Sequence, residues 1–383
     1  MKQGKKLLYL STIEDGPYQG VRKKIKMQCD AFEQLGINVL AINSGKRSLW
    51  GQISKLLPFS FGLNYRLIKK ELLQLTKNDF NYCYIRYSQA SRGLIGLIKL
   101  LKQTQKGIRI ILEIPTYPYE DELKSVRAFP FKIRDRLYCN RIKKYGDLIV
   151  TPSHIDEPNI FGIPAYEITN GIDVKSIERR RPTEKETGRV NLLGVALITP
   201  KQGYDRVIRG IHEYRKVKSL DDPEVYFYVI GKGSGKNELE QLRDCLGLQE
   251  YVFFPGEKEN EELEEYYNIA DLGVGTLGLY KANELSKVNS LKTREYCAKG
   301  LPFIVTDCDY MFADTDFEFC LVVENDSTPI DIMRVIGFLN EKRKQYSDQE
   351  IIGKMADFAK ENLSWSTILY GLINHVDRMH GNQ

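Results

Sequence analysis

The feature that most constrains the fold is a repeating order of short apolar runs, glycine-containing loops and amphipathic stretches. Residues 7–10 form an apolar run, and residues 21–35 carry apolar side chains at helical spacing. Gly36 then precedes a second apolar run at 38–42. A strand, a glycine loop, a helix and a second strand in this order predict a βαβ unit with parallel strands. Further strands are expected at 82–86, 108–114 and 147–151.

The alternation begins again after a polar, highly charged stretch at 174–190, which contains Pro182 and Gly188. This composition predicts an exposed connection, and we expect a hinge there. The second alternation predicts strands at 190–195, 225–230, 252–254, 272–276 and 302–305. It also predicts helices at 203–216, 236–246, 260–269 and 291–299, followed by a helical C-terminal segment of about 35 residues.

The length of 383 residues suits two domains of this kind. The expected organisation is two α/β domains in tandem, at 1–175 and 190–350. The helices expected at 351–383 are predicted to pack back on the N-terminal domain.

Several classes of protein are not expected from this composition. No run reaches the roughly 18 apolar residues of a transmembrane helix, and the first 30 residues lack a secretory apolar region. The seven cysteines are scattered and never spaced as C-x-x-C, which is typical of reduced cytosolic thiols. All four histidines follow residue 150, so no histidine base or His-rich metal site is expected in the N-terminal half.

The distribution of charge is more informative than the net charge of +5. Residues 1–150 hold 28 Lys and Arg against 12 Asp and Glu, whereas residues 151–383 hold 28 against 39. This asymmetry indicates that the first half faces an anionic partner. Basic residues cluster at 22–26, 50–70 and 132–144, the last two with interleaved apolar and aromatic residues.

Three interpretations of these basic clusters stay open: solvated helix faces, an anionic membrane surface, or nucleic acid. The clusters do not segregate onto one helical face, which counts against the membrane interpretation. No helix-turn-helix, zinc-finger or RNP motif occurs in the sequence, so nucleic acid is not expected as a partner.

A glycine-rich loop follows the strand predicted at 225–230. Gly231, Gly233 and Gly235 would let backbone N–H groups approach a phosphate at the start of the next helix. The run is neither G-x-G-x-x-G, because residue 236 is lysine, nor a P-loop, because the spacing is one residue short. The alternative interpretation is a tight turn of a doubly wound sheet.

The helix predicted at 291–299 is a second candidate for phosphate binding. Ser290 is its expected N-cap, and Gly300 followed by Pro302 ends it. The first-turn amides of Leu291, Lys292 and Thr293 are expected to point at a diphosphate with the positive end of the helix dipole.

Glu295 lies about one turn further into this helix and could accept hydrogen bonds from two ribose hydroxyls. The alternative interpretation is that Glu295 only complements the helix dipole.

Taken together, residues 190–305 resemble the donor-binding domain of GT-B glycosyltransferases, in particular glycosyltransferase family 4 (group 1). The most specific match is Leu-Lys-Thr-Arg-Glu-Tyr-x-Ala-x-Gly-x-Pro at 291–302. The segments at 113–119 and 168–173 are similar to a branch associated with bacterial surface polysaccharides. Weaker matches lie at 194–197, 201–206, 229–233, 252–256 and 270–274.

The resemblance implies the GT-B fold, with two Rossmann-like doubly wound domains facing each other across a cleft. It assigns Glu295 to the ribose and Lys201 to the diphosphate, and these two are the predicted catalytic residues. Glu257 and Lys258 are expected beside the nucleotide base. The other expected donor contacts are Gly231, Gly233, Gly256, Leu291, Lys292 and Thr293; Gly20, Arg22 and Tyr117 are expected on the acceptor side.

Two positions depart from the pattern of the family. Lys287 stands where the first glutamate of Glu-x7-Glu would contact the donor sugar, and Ala196 stands where an arginine would bind phosphate. Arg206, Lys292 or Arg294 could offset the lost arginine.

The resemblance implies a retaining, metal-independent hexosyl transfer, with no cofactor, from a nucleotide-sugar, UDP-linked in our expectation. The expected acceptor is a lipid-linked saccharide in surface polysaccharide or capsule assembly, used in the cytoplasm at the inner face of the membrane. A partner at an anionic membrane surface would account for the basic N-terminal half. The alternatives are a non-catalytic GT-B partner subunit and a GT-B sugar-nucleotide epimerase or hydrolase.

Overall fold

A computed structural model describes most of the chain, which divides into two compact units. Unit 1 comprises Met1–Thr169 and Trp365–Gln383, and unit 2 comprises Asn170–Ser364. The described residues are 4–13, 19–43, 65, 68, 69, 72, 79–87, 90–117, 137–182, 187–281 and 287–381.

Unit 1 is built on a seven-stranded sheet with strand order β2-β1-β3-β4-β5-β7-β6, in which all pairings are parallel except that of β6 with β7. Nearly every residue of the central strands is buried, as expected when helices cover both faces of a parallel sheet. The elements are β1 (Lys6–Ser11), α1 (Gln19–Gln34), β2 (Asn38–Asn43), β3 (Tyr82–Arg86), α2 (Arg92–Thr104), β4 (Arg109–Glu113), β5 (Leu148–Thr151), β6 (Asn159–Ile160) and β7 (Ile163–Glu167).

Unit 2 holds a six-stranded parallel sheet with the order β10-β9-β8-β11-β12-β13 and buried apolar clusters on both faces. Its elements are β8 (Arg189–Val195), α3 (Tyr204–Val217), β9 (Glu224–Ile230), α4 (Lys236–Cys245), β10 (Val252–Gly256), α5 (Asn260–Ile269), β11 (Leu272–Val274), α6 (Leu291–Lys299), β12 (Phe303–Thr306), α7 (Tyr310–Ala313), β13 (Cys320–Val323), α8 (Ile332–Gln345) and α9 (Asp348–Phe358).

The last helix, α10 (Trp365–Gly381), returns to unit 1 and packs on α1. Asp377 of α10 pairs with Lys5 at 2.6 Å and accepts a hydrogen bond from the Tyr82 hydroxyl at 2.6 Å. The helices expected at 351–383 therefore divide: α9 packs on α6 in unit 2, and the part that joins unit 1 begins at Trp365.

The polar stretch at 174–182 belongs to unit 2 and is not a free connection. Arg180 is buried and donates to the carbonyl oxygens of Gly300 and Ala270, both at 2.8 Å. Its own backbone N–H donates to Lys299 at 3.0 Å. The chain passes between the units at 169/170 and 364/365, outside the stretch at 174–190 where a hinge is expected.

The α/β class with two parallel sheets is confirmed, and the predicted strands and helices of both alternations are present. The short hairpin of β6 and β7, strand β13 and helix α8 are not among the elements predicted from the sequence. Across the described ranges, the helices are too short or too polar to span a bilayer.

Candidate functional site

The candidate site of unit 2 lies where the order of its strands reverses. β9 and β10 lie on one side of β8, and β11 lies on the other, so β8 and β11 flank a topological switch point. Two loops meet there: the N–H of Leu277 donates to the carbonyl of Gln202 at 2.9 Å, and that of Gly278 to Lys201 at 3.1 Å. Ligands of open α/β sheets bind at such carboxyl edges.

Helix α6 begins at this edge, and buried side chains fix its first turn. Ser290 has the extended backbone of an N-cap residue, but its side chain makes no capping hydrogen bond. The Thr293 hydroxyl bonds to the Ser290 carbonyl at 2.9 Å and to the Asp309 carboxylate at 2.8 Å. Arg294 donates to the Ser290 carbonyl at 2.7 Å and lies 3.5 Å from Asp309.

These contacts restrict what two of the predicted residues can offer a ligand. Thr293 and Arg294 are both fully buried. Burial raises the pKa of Asp309, while the charge of Arg294 opposes that shift. The Thr293 side chain therefore positions α6, and only its backbone N–H remains a candidate for a diphosphate. Arg294 does not replace the arginine missing at Ala196.

Lys292 is half-buried on the first turn of α6. Its ammonium donates to the amide oxygen of Gln202 at 2.5 Å and lies 3.4 Å from the Tyr204 hydroxyl. It also lies 5.1 Å from the centre of the Tyr204 ring. Loss of hydration lowers the pKa of Lys292 to about 7, and Asp309 opposes this shift. Gln202 and Tyr204, which follow β8, therefore contact a side chain of α6 whose charge changes near neutral pH.

Glu295 lies one turn further along α6, at an i, i+3 spacing from Lys292 that places both on neighbouring parts of the helix surface. It is half-buried beside the buried hydroxyl of Tyr267. Burial first, and then the charge of Glu295 and its hydrogen bond, raise the pKa of Tyr267 well above its usual value. Tyr267 thus stays protonated and donates to the Glu295 carboxylate.

Lys201 is exposed on the short turn Pro200–Gln202. Arg206, by contrast, is buried, and its guanidinium binds the carbonyls of Thr328 at 2.7 Å and Leu277 at 2.9 Å. The same guanidinium contacts the Glu324 carbonyl and the Asp326 carboxylate, each at 3.0 Å. Arg206 therefore holds loops of unit 2 together and does not offset the arginine missing at Ala196.

Two glycines of the loop after β9 are required because this loop packs closely against the loop after β8. The backbone of Gly231 has φ of +133°, and a Cβ there would lie 1.9 Å from the Ala196 carbonyl oxygen. A Cβ on Gly233, whose φ is +154°, would lie 2.1 Å from the Ile198 carbonyl oxygen. The turn interpretation accounts for both glycines, because the loops after β8 and β9 pack backbone against backbone.

The predicted residues after β10 lie in exposed ion pairs. Glu257 pairs with Lys232 at 2.7 Å, and Lys258 pairs with Glu262 at 3.0 Å. Gly256 has φ of +86°, and its carbonyl accepts the N–H of Gly231 at 2.9 Å.

Leu197 follows β8, Leu291 is the first residue of α6, and Lys287 is the residue that departs from the Glu-x7-Glu pattern. Leu291 is 55% exposed and Leu197 is 65% exposed. Lys287 pairs with Asp314 at 3.3 Å near the surface and lies 5.6 Å from the centre of the Tyr310 ring.

A pocket of about 380 Å³ lies between α3 and α4. Its polar lining includes Asp205, Arg209, Glu238 and Lys281, and Asp205 pairs with Lys281 at 2.5 Å. Lys201, Lys292 and Glu295 do not line this pocket.

Unit 1 places its predicted residues at the carboxyl edge of its own sheet. Gly20 and Arg22 lie on the first turn of α1, and Tyr117 follows β4 with its N–H donating to the Ser153 hydroxyl at 2.8 Å. Among the residues that the structure describes, none beyond the adjoining backbone places an atom within 4 Å of a Cβ built on Gly20. Lys132, Arg134 and Arg136 and most of the 50–70 cluster lie outside the described residues.

Sequence reasoning missed a buried cluster at this edge. Lys24, counted there only as one of a run of basic residues, lies 3.1 Å from the carboxylate of Glu113. Glu113 is fully buried at the end of β4, and its sheet partner Arg86 donates to it at 2.9 Å. The signal in the sequence was weak, because Arg86 and Glu113 each follow an apolar run as an isolated charge.

Comparison with known proteins shows what this arrangement resembles. Residues 175–327, all within unit 2, match the family of group 1 glycosyl transferases. None of the curated protein sequences matches the chain.

Solved structures match the chain along nearly its whole length. A glycosyltransferase from Rickettsia africae has a TM-score of 0.63 at 13% identity, covering 99% of this chain and 100% of that one. HepE of Anabaena, solved with UDP and glucose, has a TM-score of 0.58 at 12% identity, covering 98% and 100%. The lipopolysaccharide outer core galactosyltransferase WaaB has a TM-score of 0.59 at 14% identity, covering 97% and 99%. The chain therefore has the GT-B fold of these glycosyltransferases.

Proposed function

We propose that the chain is a retaining glycosyltransferase that moves a sugar from a nucleotide-diphosphate donor, a UDP-sugar, to a lipid-linked saccharide. The observation that carries this proposal is the first turn of α6, where Lys292 and Glu295 lie within the segment that matches group 1 glycosyl transferases. The UDP and UDP-glucose bound by HepE, and the outer-core transfer named for WaaB, support the same class of donor and acceptor.

In this mechanism the donor diphosphate lies at the N-terminus of α6. The first-turn N–H groups, Lys292 and Lys201 would stabilise the charge that develops as the bond from sugar to diphosphate breaks. Glu295, held by the Tyr267 hydroxyl, would accept hydrogen bonds from the ribose. The departing diphosphate would help to deprotonate the acceptor hydroxyl on the same face of the sugar, which gives retention without a metal.

The test is transfer by the full chain from a UDP-sugar, compared between Glu295→Ala and Glu261→Ala. Glu261 is an exposed carboxylate on α5 of the same unit and serves as the matched control. Glu295→Ala should lower turnover at least 100-fold while leaving the fold intact, and Glu261→Ala should leave turnover unchanged. Near-normal transfer by Glu295→Ala would contradict the assignment. Activity that persists in EDTA would support transfer without a metal.

A non-catalytic partner subunit is the second candidate. It is favoured by Lys287, by Ala196, and by the burial of Arg206 and Arg294, which leaves neither arginine to bind phosphate. Calorimetric titration with UDP and GDP separates the two candidates, because a subunit of this kind should bind neither nucleotide at millimolar concentration. Conversion of the nucleotide-sugar donor in the absence of an acceptor would instead indicate a hydrolase or epimerase.

We also propose that the protein acts at the anionic inner face of a membrane. Lys23 and Lys26 are exposed on α1 and would contribute to this attraction. Sedimentation with anionic vesicles should weaken as salt rises, because screening reduces the attraction. Sedimentation that is the same at low and high salt would count against it.

A further inference from the structure

Asp309 lies at the carboxyl edge of unit 2, after β12 and directly before α7. Aspartate at the start of a helix usually caps that helix, because its carboxylate can accept a free backbone N–H of the first turn. The side chain of Asp309 makes no such capping hydrogen bond. One of its oxygens accepts the Thr293 hydroxyl at 2.8 Å instead, and the other lies 3.5 Å from the guanidinium of Arg294. Asp309 therefore directs its carboxylate at α6.

The segments on either side of this contact are also joined. The backbone N–H of Val288, ahead of α6, donates to the Cys308 carbonyl at 2.7 Å. The side-chain amide of Asn289 donates to the Tyr310 hydroxyl at 2.6 Å. Asp309, between these two contacts, is 3% exposed. The start of α6 is therefore held against the loop after β12, and a phosphate at the first turn of α6 would depend on this arrangement.

Lys292 shares this first turn and is influenced by the charge of Asp309. Its ammonium contacts neutral groups, the amide oxygen of Gln202 at 2.5 Å and the hydroxyl of Tyr204 at 3.4 Å. Loss of hydration lowers the pKa of Lys292 to about 7, and the negative charge of Asp309 opposes this shift. Removal of that charge would lower the pKa of Lys292 further, because an opposite charge nearby favours the protonated ammonium.

Other titratable side chains around Asp309 and Lys292 stay neutral near pH 7. Burial raises the pKa of Tyr204 on α3 and of Cys320 on β13 well above their usual values. The pKa of the Cys308 thiol is also raised, first by burial and then by neighbouring negative charge. A change in UDP affinity near neutral pH would therefore report the protonation of Lys292.

We propose that Asp309 is a positioning residue of the donor site at α6, which holds the first turn of this helix in place and supplies a negative charge that acts on Lys292. This inference rests on the proposed function and concerns the regulation of the same site. Arg206 and Arg294 bind carbonyl groups of the protein and do not replace the arginine missing at Ala196. By keeping Lys292 charged, Asp309 would let the chain bind a diphosphate without that arginine.

The test is the affinity of the full chain for UDP, measured by calorimetry at pH 6 and pH 8 in the wild type, Asp309→Asn and Asp307→Asn. Asparagine keeps the size of the side chain and an acceptor for the Thr293 hydroxyl but removes the charge. Asp309→Asn should bind UDP about five- to tenfold more weakly at pH 8 and within about twofold of the wild type at pH 6, because Lys292 loses its proton at a lower pH. Asp307→Asn removes the same charge from an exposed position two residues earlier and should follow the wild type at both pH values.

Two further variants separate the charge of Asp309 from its hydrogen bond. Asp309→Glu keeps the charge and should keep the pH dependence of the wild type, even where the longer side chain lowers the affinity for UDP. Thr293→Val removes the hydroxyl and keeps the β-branched shape. It should weaken UDP by a similar factor at pH 6 and pH 8, because the first turn of α6 loses a contact while the charge stays. These variants keep the test decisive if Asp309→Asn lowers the melting temperature.

The same pH profile in Asp309→Asn and the wild type would overturn the inference. So would equal effects of Asp309→Asn and Asp307→Asn, or a loss in Asp309→Asn that is the same at pH 6 and pH 8, since a purely structural role gives that result. Unchanged UDP affinity in Thr293→Val, or a pH dependence that moves in Asp309→Glu, would also count against it. A wild type that binds UDP and needs Glu295 for transfer, but whose pH profile does not depend on Asp309, refutes only this inference. A wild type that binds no UDP at either pH contradicts the proposed function, and this inference with it.

Discussion

The two units place polar groups at the same edge of a parallel sheet but satisfy them in different ways. At the edge of unit 1 the fully buried Glu113 is surrounded by Lys24 and Arg86. At the edge of unit 2 glycines allow backbone to pack on backbone, and the half-buried Lys292 and Glu295 remain on α6. We conclude that a buried ion cluster holds the first edge in shape. The second edge is shaped both by backbone contact and by the buried Arg206 and Arg294, and it keeps Lys292 and Glu295 for a ligand.

The largest expected effect comes from neutralising the carboxylate of unit 1. Glu113→Gln should lower the free energy of unfolding by about 3–5 kcal/mol, the usual cost of removing one partner from a buried ion pair. Urea denaturation measures this loss. Glu157→Ala, which removes an exposed carboxylate from the same unit, should change stability by less than about 0.5 kcal/mol.

The same carboxylate should make stability depend on pH. Lys24 and Arg86 hold the pKa of Glu113 below its usual value against the effect of burial. Its contribution is therefore present above the pKa of an unfolded glutamate and is lost as the pH falls through the lower, folded value. The loss on acidification should be smaller in Glu113→Gln, and an identical acid profile in both proteins would count against the ion cluster.

The next effect tests whether backbone contact shapes the edge of unit 2. Gly231→Ala would place a methyl group 1.9 Å from the Ala196 carbonyl oxygen at a φ of +133°. We expect a loss of about 2–4 kcal/mol from overpacking and backbone strain. Gly353→Ala is the control, since this helical glycine of α9 has open space at Cβ and should gain up to about 1 kcal/mol. An unchanged melting temperature in Gly231→Ala would show that the loops after β8 and β9 can move apart at little cost in stability.

A smaller effect concerns the protonation of Lys292. Its pKa of about 7 should rise when a diphosphate brings negative charge to α6, so UDP binding takes up a proton. The affinity for UDP should therefore fall by up to tenfold per pH unit above about pH 7, until the pKa of the complex is reached. Calorimetry in buffers of different ionisation enthalpy measures this uptake.

The matched comparison for this effect is Lys292→Met with Lys201→Met. Lys292→Met should bind UDP more weakly and lose the dependence between pH 7 and 9. Lys201→Met should weaken binding but keep the dependence, because Lys201 is exposed. A pH profile that survives in Lys292→Met would assign the proton to another group.

The sequence predicts the secondary structure of both units better than it predicts the contacts of their polar residues. Apolar periodicity placed the strands and helices, because parallel strands covered on both faces require nearly continuous apolar runs. Periodicity could not show that Arg180 fastens the polar stretch to unit 2, since that contact joins residues far apart in the chain. For the same reason Asp309 was missed, and Arg206 and Arg294 were mistaken for residues that could bind phosphate.

The smallest expected effect contrasts Gly20 of unit 1 with Gly231 of unit 2. Gly20 lies in the first turn of α1 with open space at the position of a Cβ, so its conformation does not require glycine. Gly20→Ala should therefore stabilise the chain by up to about 1 kcal/mol, mainly by restricting the unfolded chain. If Gly20 borders the acceptor, the same methyl group would raise the KM for acceptor and leave the KM for the UDP-sugar unchanged. An unchanged KM for both substrates would remove Gly20 from the acceptor side while leaving Lys24 and Arg86 as the groups that distinguish the edge of unit 1.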